Sequence, residues 1–165
     1  MKKFYLVLTI VAVIMTACQQ TPKPAPVDIE AEKAAVNEII ENMYSAMKAQ
    51  DVETLLSFYT EDMIGLGSDP SEMWNKQQIT DIWKQMLADT SPEFNSFGDR
   101  FIKVAVDGNS AIAVDQYFMP MFTDKIPFRN AYHLVKKDGK WIILFFNVAF
   151  IPKNEDIPKL NAALE

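Results

Sequence analysis

Between Ser110 and Phe150 the chain reads as three consecutive strands, and whatever precedes them has to cover the sheet they form. Ser110–Met121 carries Ile112, Val114, Tyr117 and Phe118. Phe128–Lys137 carries Ala131, Tyr132, Leu134 and Val135, and Trp141–Phe150 is apolar along almost its whole length. Asp138-Gly139 separates the last two, with lysines on either side. An Asp-Gly pair between apolar runs predicts a hairpin with a type I′ turn, because that turn needs φ > 0 at both central residues. The final strand has side chains to hide on both faces, so something must pack on one face and line the other.

The start of the chain has a different character. Lys2 and Lys3 precede an uncharged apolar run from Phe4 to Met15. That run is shorter than the about 20 residues a relaxed membrane-spanning helix needs, and it fits the apolar core of a secretory signal peptide. Met15-Thr16-Ala17-Cys18 resembles the lipobox of bacterial lipoproteins. The resemblance implies a signal peptide over residues 1–17, acylation of Cys18, and the lipid bilayer as a partner. Cys18 is the one cysteine in the chain, so no internal disulfide or cysteine metal site is available. Gln19 follows where Asp would signal retention, which by the same resemblance favours the outer membrane, facing the periplasm. Residues 18–28 hold three prolines and read as a stiff, extended tether. The globular part is expected over residues 29–151, with 152–165 as a C-terminal tail. Its formal net charge of −6 for the whole chain offers no basic footprint for nucleic acid.

Helical periodicity dominates the first part of the globular region. Val36, Ile39, Ile40, Met43 and Met47 form one stripe over Ile29–Ala49, with glutamates at the front and Lys48 in the last turn. Asp51 is placed to cap a second, short helix holding Leu55, Leu56 and Tyr59. Asn75 and Gln78 have capping-box spacing for a third, whose stripe is Ile79, Ile82, Trp83 and Met86. Met63–Leu66 and Phe101–Val106 are further strand candidates. Helices early and strands late predict an α+β fold.

Two segments carry a family resemblance. Met47–Asp62 resembles the opening motif of the NTF2-like superfamily in its SnoaL-like or DUF4440 branch, and Lys137–Ile143 (KDGKWII) resembles that family's final hairpin. The match spans about Glu32 to Phe150. It implies an NTF2-like cone, with N-terminal helices packed on a curved antiparallel sheet, and a homodimer formed through the sheet. In the ketosteroid-isomerase-like branch, an oxyanion-hole Tyr lies eight residues before the capping Asp and a proton-shuttling Asp sixteen after it. Those positions are Met43 and Gly67 here, with Tyr44 and Asp69 nearby but displaced.

Two sets of candidate site residues follow. His133, the only histidine, with Asp115 and Tyr117 could form an acid–base group; alternatively His133 is held by a cross-strand hydrogen bond, and Asp115 pairs with Arg129 across the strands. Tyr59, Trp83, Phe145 and Asn147 are candidate walls of a pocket between helices and sheet. Asn147 occupies the strand position where related domains often carry a histidine that points into the cavity; it either orients a ligand or satisfies itself in the core. No metal-binding motif or phosphate-cradling loop is present, so no cofactor is expected. The expected function is an envelope lipoprotein that binds a small hydrophobic ligand or a partner protein without catalysis; the alternative is an acid–base enzyme of isomerase, dehydratase or cyclase type.

Overall fold

The computed structural model describes residues 26–164; the segment expected to be a signal peptide, Cys18 and most of the expected tether lie outside the described residues. Helix α1 spans Ile29–Lys48 and is capped by Asp28, whose side chain accepts from the Ala31 N–H at 3.1 Å. Helix α2, Val52–Ser57, is capped by Asp51 through Thr54. Helix α3, Lys76–Leu87, begins with a complete Asn75/Gln78 capping box. Each cap satisfies N–H groups that the first helical turn leaves without intrahelical partners. A short helix α4, Ile157–Ala163, follows the last strand inside the expected tail.

The strands are β1 (Tyr59–Leu66), β2 (Met73–Trp74), β3 (Asn95–Ser96), β4 (Phe101–Val104), β5 (Ser110–Met119), β6 (Thr123–Lys137) and β7 (Lys140–Phe150). They form one sheet in the order β2-β1-β7-β6-β5-β3, with β4 also paired to β5. The β6–β7 turn is as the Asp-Gly signal requires, with φ of 51° at Asp138 and 77° at Gly139.

The architecture is α+β, but the expected cone does not form. The strand path is open, and its two ends, β2 and β3, are two-residue edge strands that among the described residues pair with nothing beyond β1 and β5. Closing a sheet needs a continuous ladder of staggered strands around the whole perimeter, and edges this short supply none. Nor is the sheet purely antiparallel, because β1 runs parallel to β7.

Burial alternates along β5 and β6. Ala111, Ala113, Asp115, Tyr117 and Met119 share the covered face with Phe128, Asn130, Tyr132 and Leu134. On β7 the alternation breaks. His133 pairs with Phe145 and Leu134 with Ile143, so Leu144 is an extra, unpaired residue. This bulge moves the covered face from Trp141 and Ile143 to Phe146 and Val148. Gly65 lies opposite Phe146 in the parallel register, and a Cβ there would stand 2.5 Å from the ring.

Helix α1 packs over β4, β5 and β7 and buries Val36, Ile40, Met43 and Met47. Its front is fastened by Glu32, which accepts hydrogen bonds from Lys136 and from the Trp141 indole. Those two bonds hold the Glu32 carboxyl below its ordinary range. Helix α3 packs on β1 and β2, and only Ile79 and Leu87 of it are buried. Ile82, Trp83 and Met86 are half-buried because the space beneath them is a cavity.

Candidate functional site

The cavity has a volume of about 150 Å³. Met47 of α1 and Ile79, Ile82, Trp83 and Met86 of α3 form one wall. Tyr59, Tyr117, Met119, Phe128, Asn130, Phe146, Val148 and Phe150 form the sheet wall. Gly67, Ser68, Glu72 and Trp74, from the β1–β2 turn, lie at one end. Tyr44 and Phe94 border it on the β5 side, where the rings run continuously. Tyr44 lies 4.7 Å from Phe94, Phe94 5.2 Å from Tyr117, Tyr117 5.8 Å from Phe128, and Phe128 4.4 Å from Phe150, between centroids. Such pairs add rigidity and a modest gain beyond buried area.

One edge of this apolar wall is polar. The Tyr44 hydroxyl donates to Asp115 Oδ2 at 2.9 Å and lies 3.0 Å from the Tyr132 hydroxyl. Asn130 Nδ2 donates to the Tyr132 oxygen at 2.7 Å. The other Asp115 oxygen accepts from Arg100 Nε. Arg100 reaches on to α1, where Nη1 donates to Asn37 Oδ1 at 2.7 Å and to Glu41 Oε1 at 2.8 Å. A buried carboxylate is tolerable on these terms, paired with a guanidinium and hydrogen-bonded. The network ties α1, the segment before β4, and strands β5 and β6 into one unit.

The phenols are poor acids here. Burial, and for Tyr44 and Tyr117 the nearby Asp115 charge, push Tyr44, Tyr59, Tyr117 and Tyr132 well above their ordinary range. At neutral pH they are hydroxyl groups that donate or accept, and none serves as a base.

The structure separates the expected acid–base group. Asp115 and Tyr117 lie on the covered face, while His133 lies on the opposite face, paired with Ile112 and Phe145, its Nε2 3.0 Å from Ser110 Oγ. Asp115 pairs with Arg100; Arg129, opposite Gln116, points the other way. Of the expected pocket walls, Tyr59 and Trp83 line the cavity. Phe145 and Asn147 are on the far face, turned there by the bulge at Leu144, and Phe146 and Val148 take the positions that simple alternation would give them. Sequence reasoning missed Tyr44, Phe94, Arg100, Asn130 and Tyr132. Tyr44 was legible, since it follows Ile40 by four residues and precedes Met47 by three, on the margin of the α1 stripe. Arg100 and Phe94, in irregular segments, carry no periodic signal. Among the described residues there is no cluster of three His, Cys, Asp or Glu side chains arranged to hold a metal ion.

Residues 36–147, more than half of the chain, match the family model for the SnoaL-like domain. The chain belongs to the SnoaL-like domain family. It is an NTF2-like domain by the same token, and solved structures of that kind share its fold. An NTF2-like protein of unknown function from Pseudomonas putida is 14% identical with a TM-score of 0.64, over 76% of this chain and 91% of that one. A domain of unknown function with a cystatin-like fold from Nostoc punctiforme is 16% identical with a TM-score of 0.64, over 80% and 85%. An NTF2-like protein from Cytophaga hutchinsonii is 14% identical with a TM-score of 0.59, over 70% and 95%. No functionally curated protein matches the sequence. At these identities the likeness carries the SnoaL-like fold and no activity.

Proposed function

We propose that this chain is an envelope lipoprotein whose SnoaL-like domain binds a small, mostly apolar molecule without transforming it. The observation that supports binding is the cavity itself: about 150 Å³, walled mainly by aromatic side chains and Met, with a polar edge at Asn130 and with Ser68 and Glu72 at the β1–β2 end. Its size is below the about 300 Å³ at which drug-sized sites begin, so the ligand is small. Binding without turnover is supported by the placement of His133, the chain's only histidine, across the sheet from Asp115 and Tyr117. A general base has to reach the proton it removes. Native mass spectrometry of the protein released gently from the envelope tests the reading. A non-covalent mass retained on the folded chain is expected; a bare chain from several growth conditions would count against it.

Envelope anchoring rests on Met15–Cys18, outside the described residues. Among the described residues no helix is long and apolar enough to cross a membrane. Cys18→Ser is expected to move the protein from the membrane fraction to the soluble one, and membrane retention by that variant would argue for another anchor.

A second reading, compatible with the first, concerns the far face of the sheet. Phe101, Ile112 and Ile64 are each about half exposed there, at 58%, 49% and 50%, and Phe145 lies between the last two in register. His133 stands between Phe145 and Ile112 in the same row, and an otherwise apolar face of this kind suits an isologous dimer. Ile112→Lys should then lower the sedimentation coefficient from dimer to monomer; a monomeric wild type at high micromolar concentration would dismiss it.

A further inference from the structure

We infer that the cavity selects a neutral, single-ring molecule bearing a hydroxyl or N–H donor, a phenol-like ligand, and that the Asp115–Tyr44–Tyr132–Asn130 chain sets this preference. The inference rests on the cavity being a ligand site, as proposed above.

The direction of the hydrogen bonds decides it. Asp115 is held by Arg100, which does not lose its charge, so its carboxylate only accepts. Tyr44 has one hydroxyl proton and directs it at Asp115. Tyr132, 3.0 Å from the Tyr44 oxygen, must therefore donate to it. With its own proton committed, the Tyr132 oxygen accepts from Asn130, which has to present its NH₂ end at 2.7 Å. The other end of the amide is then a carbonyl. Asn130 is 7% exposed and lines the cavity, and its Oδ1 has no partner. Tyr117 lies beside the same amide without completing a bond to that oxygen.

A buried carbonyl without a donor costs free energy that a ligand O–H or N–H recovers. On the facing wall Trp83 Nε1 is likewise buried without a partner, so an acceptor atom on the same molecule is also matched. Both unpaired groups are neutral, and apart from Ser68 and Glu72 at the β1–β2 end the other lining side chains are mostly apolar, so a charged group placed between Asn130 and Trp83 is disfavoured on desolvation grounds. A cavity of about 150 Å³ is the size that takes up one benzene ring.

The test is calorimetric titration of the purified full chain with phenol, anisole and toluene, which are close in size but differ in donor and acceptor, against matched detergent blanks. Phenol should bind about tenfold more tightly than either of the others, equivalent to about 1.4 kcal/mol. In Tyr132→Phe the amide loses the hydroxyl that orients it and can rotate, so the advantage of phenol over anisole should shrink to about threefold or less. Asn130→Leu should remove the advantage while toluene still binds, and Arg129→Gln, on the far face of the sheet, should leave it in place. Near-UV circular dichroism establishes that each variant is folded, and loss of preference in either folded variant, Tyr132→Phe or Asn130→Leu, suffices as support. Equal binding of phenol and toluene by the wild type would overturn the inference and leave a plain apolar pocket. Loss of the preference in Arg129→Gln would place its origin outside the cavity and overturn the role of Asn130. Failure of all three molecules to bind would overturn the inference and the ligand-site reading together.

Discussion

Tyr44 and Asp115 are 71 residues apart in the chain and 2.9 Å apart in the fold, joined by a hydrogen bond from the phenol to the carboxylate. That bond fastens the C-terminal part of α1 to β5 at the border of the cavity. Arg100 holds the same carboxylate from the opposite side, and both side chains of that pair are largely buried.

Arg100→Ala should therefore be severe. It leaves Asp115 buried without its cation, and breaking a buried pair by removing one partner costs about 3–5 kcal/mol. Glu41 and Asn37, at the α1 end of the same guanidinium, lose their partner as well. Urea unfolding measures the loss. A change below about 1 kcal/mol, the range of exposed pairs, would mean that the pair is solvated in solution.

The tyrosines predict alkaline sensitivity. All four in the described residues have folded-state values raised above the ordinary 10.0, chiefly by burial. Above pH 10 the unfolded chain therefore releases protons that the folded chain keeps. Their contribution to stability is complete below pH 10 and falls as pH rises beyond it. Absorbance at 295 nm should show phenolate appearing together with unfolding, as one cooperative step. Gradual phenolate formation in the folded protein would contradict this.

The bulge on β7 makes neighbouring phenylalanines unequal. Phe146 is 3% exposed and packs on Tyr59 and Trp74, whereas Phe145 lies on the far face. Phe146→Ala should cost about 3–5 kcal/mol. Phe145→Ala in the monomer should cost less than half as much. Denaturant midpoints of the two variants decide the matter, and the reverse order would mean that the strand runs without its extra residue at Leu144.

The β6–β7 turn gives a smaller, local effect. Gly139 has a φ of 77° and no atom stands within 4 Å of where its Cβ would be. Gly139→Ala thus meets no clash and tests backbone conformation alone, at about 1–2 kcal/mol. Asp51→Ala removes the α2 cap and should cost about 1 kcal/mol. Thermal unfolding resolves both, and an unchanged midpoint for Gly139→Ala would show that the turn has relaxed out of its left-handed geometry.

Local chemistry was legible in the residues alone. Asp138-Gly139 announced its turn, Asp51 and Asn75 announced their caps, and the α1 stripe named Val36, Ile40, Met43 and Met47 among the buried side chains, with Ile39 only partly buried, because each of these depends on neighbours within one turn or one hairpin. Trp83 lines the cavity from the α3 stripe that named it, whereas Tyr59 lines it from β1 and not from the second helix, which ends at Ser57. What only the tertiary structure decided is non-local. The open strand path depends on which edges find partners, and two-residue edges find none beyond their neighbours. One unpaired residue, Leu144, reversed the faces of Phe145 and Asn147, since with a period of two a single insertion exchanges the sides of everything after it. The polar chain from Arg100 to Asn130 exists because the fold brings the loop before β4, helix α1 and strands β5 and β6 to one place, and a hydrogen bond acts only over the few ångströms that folding alone can close.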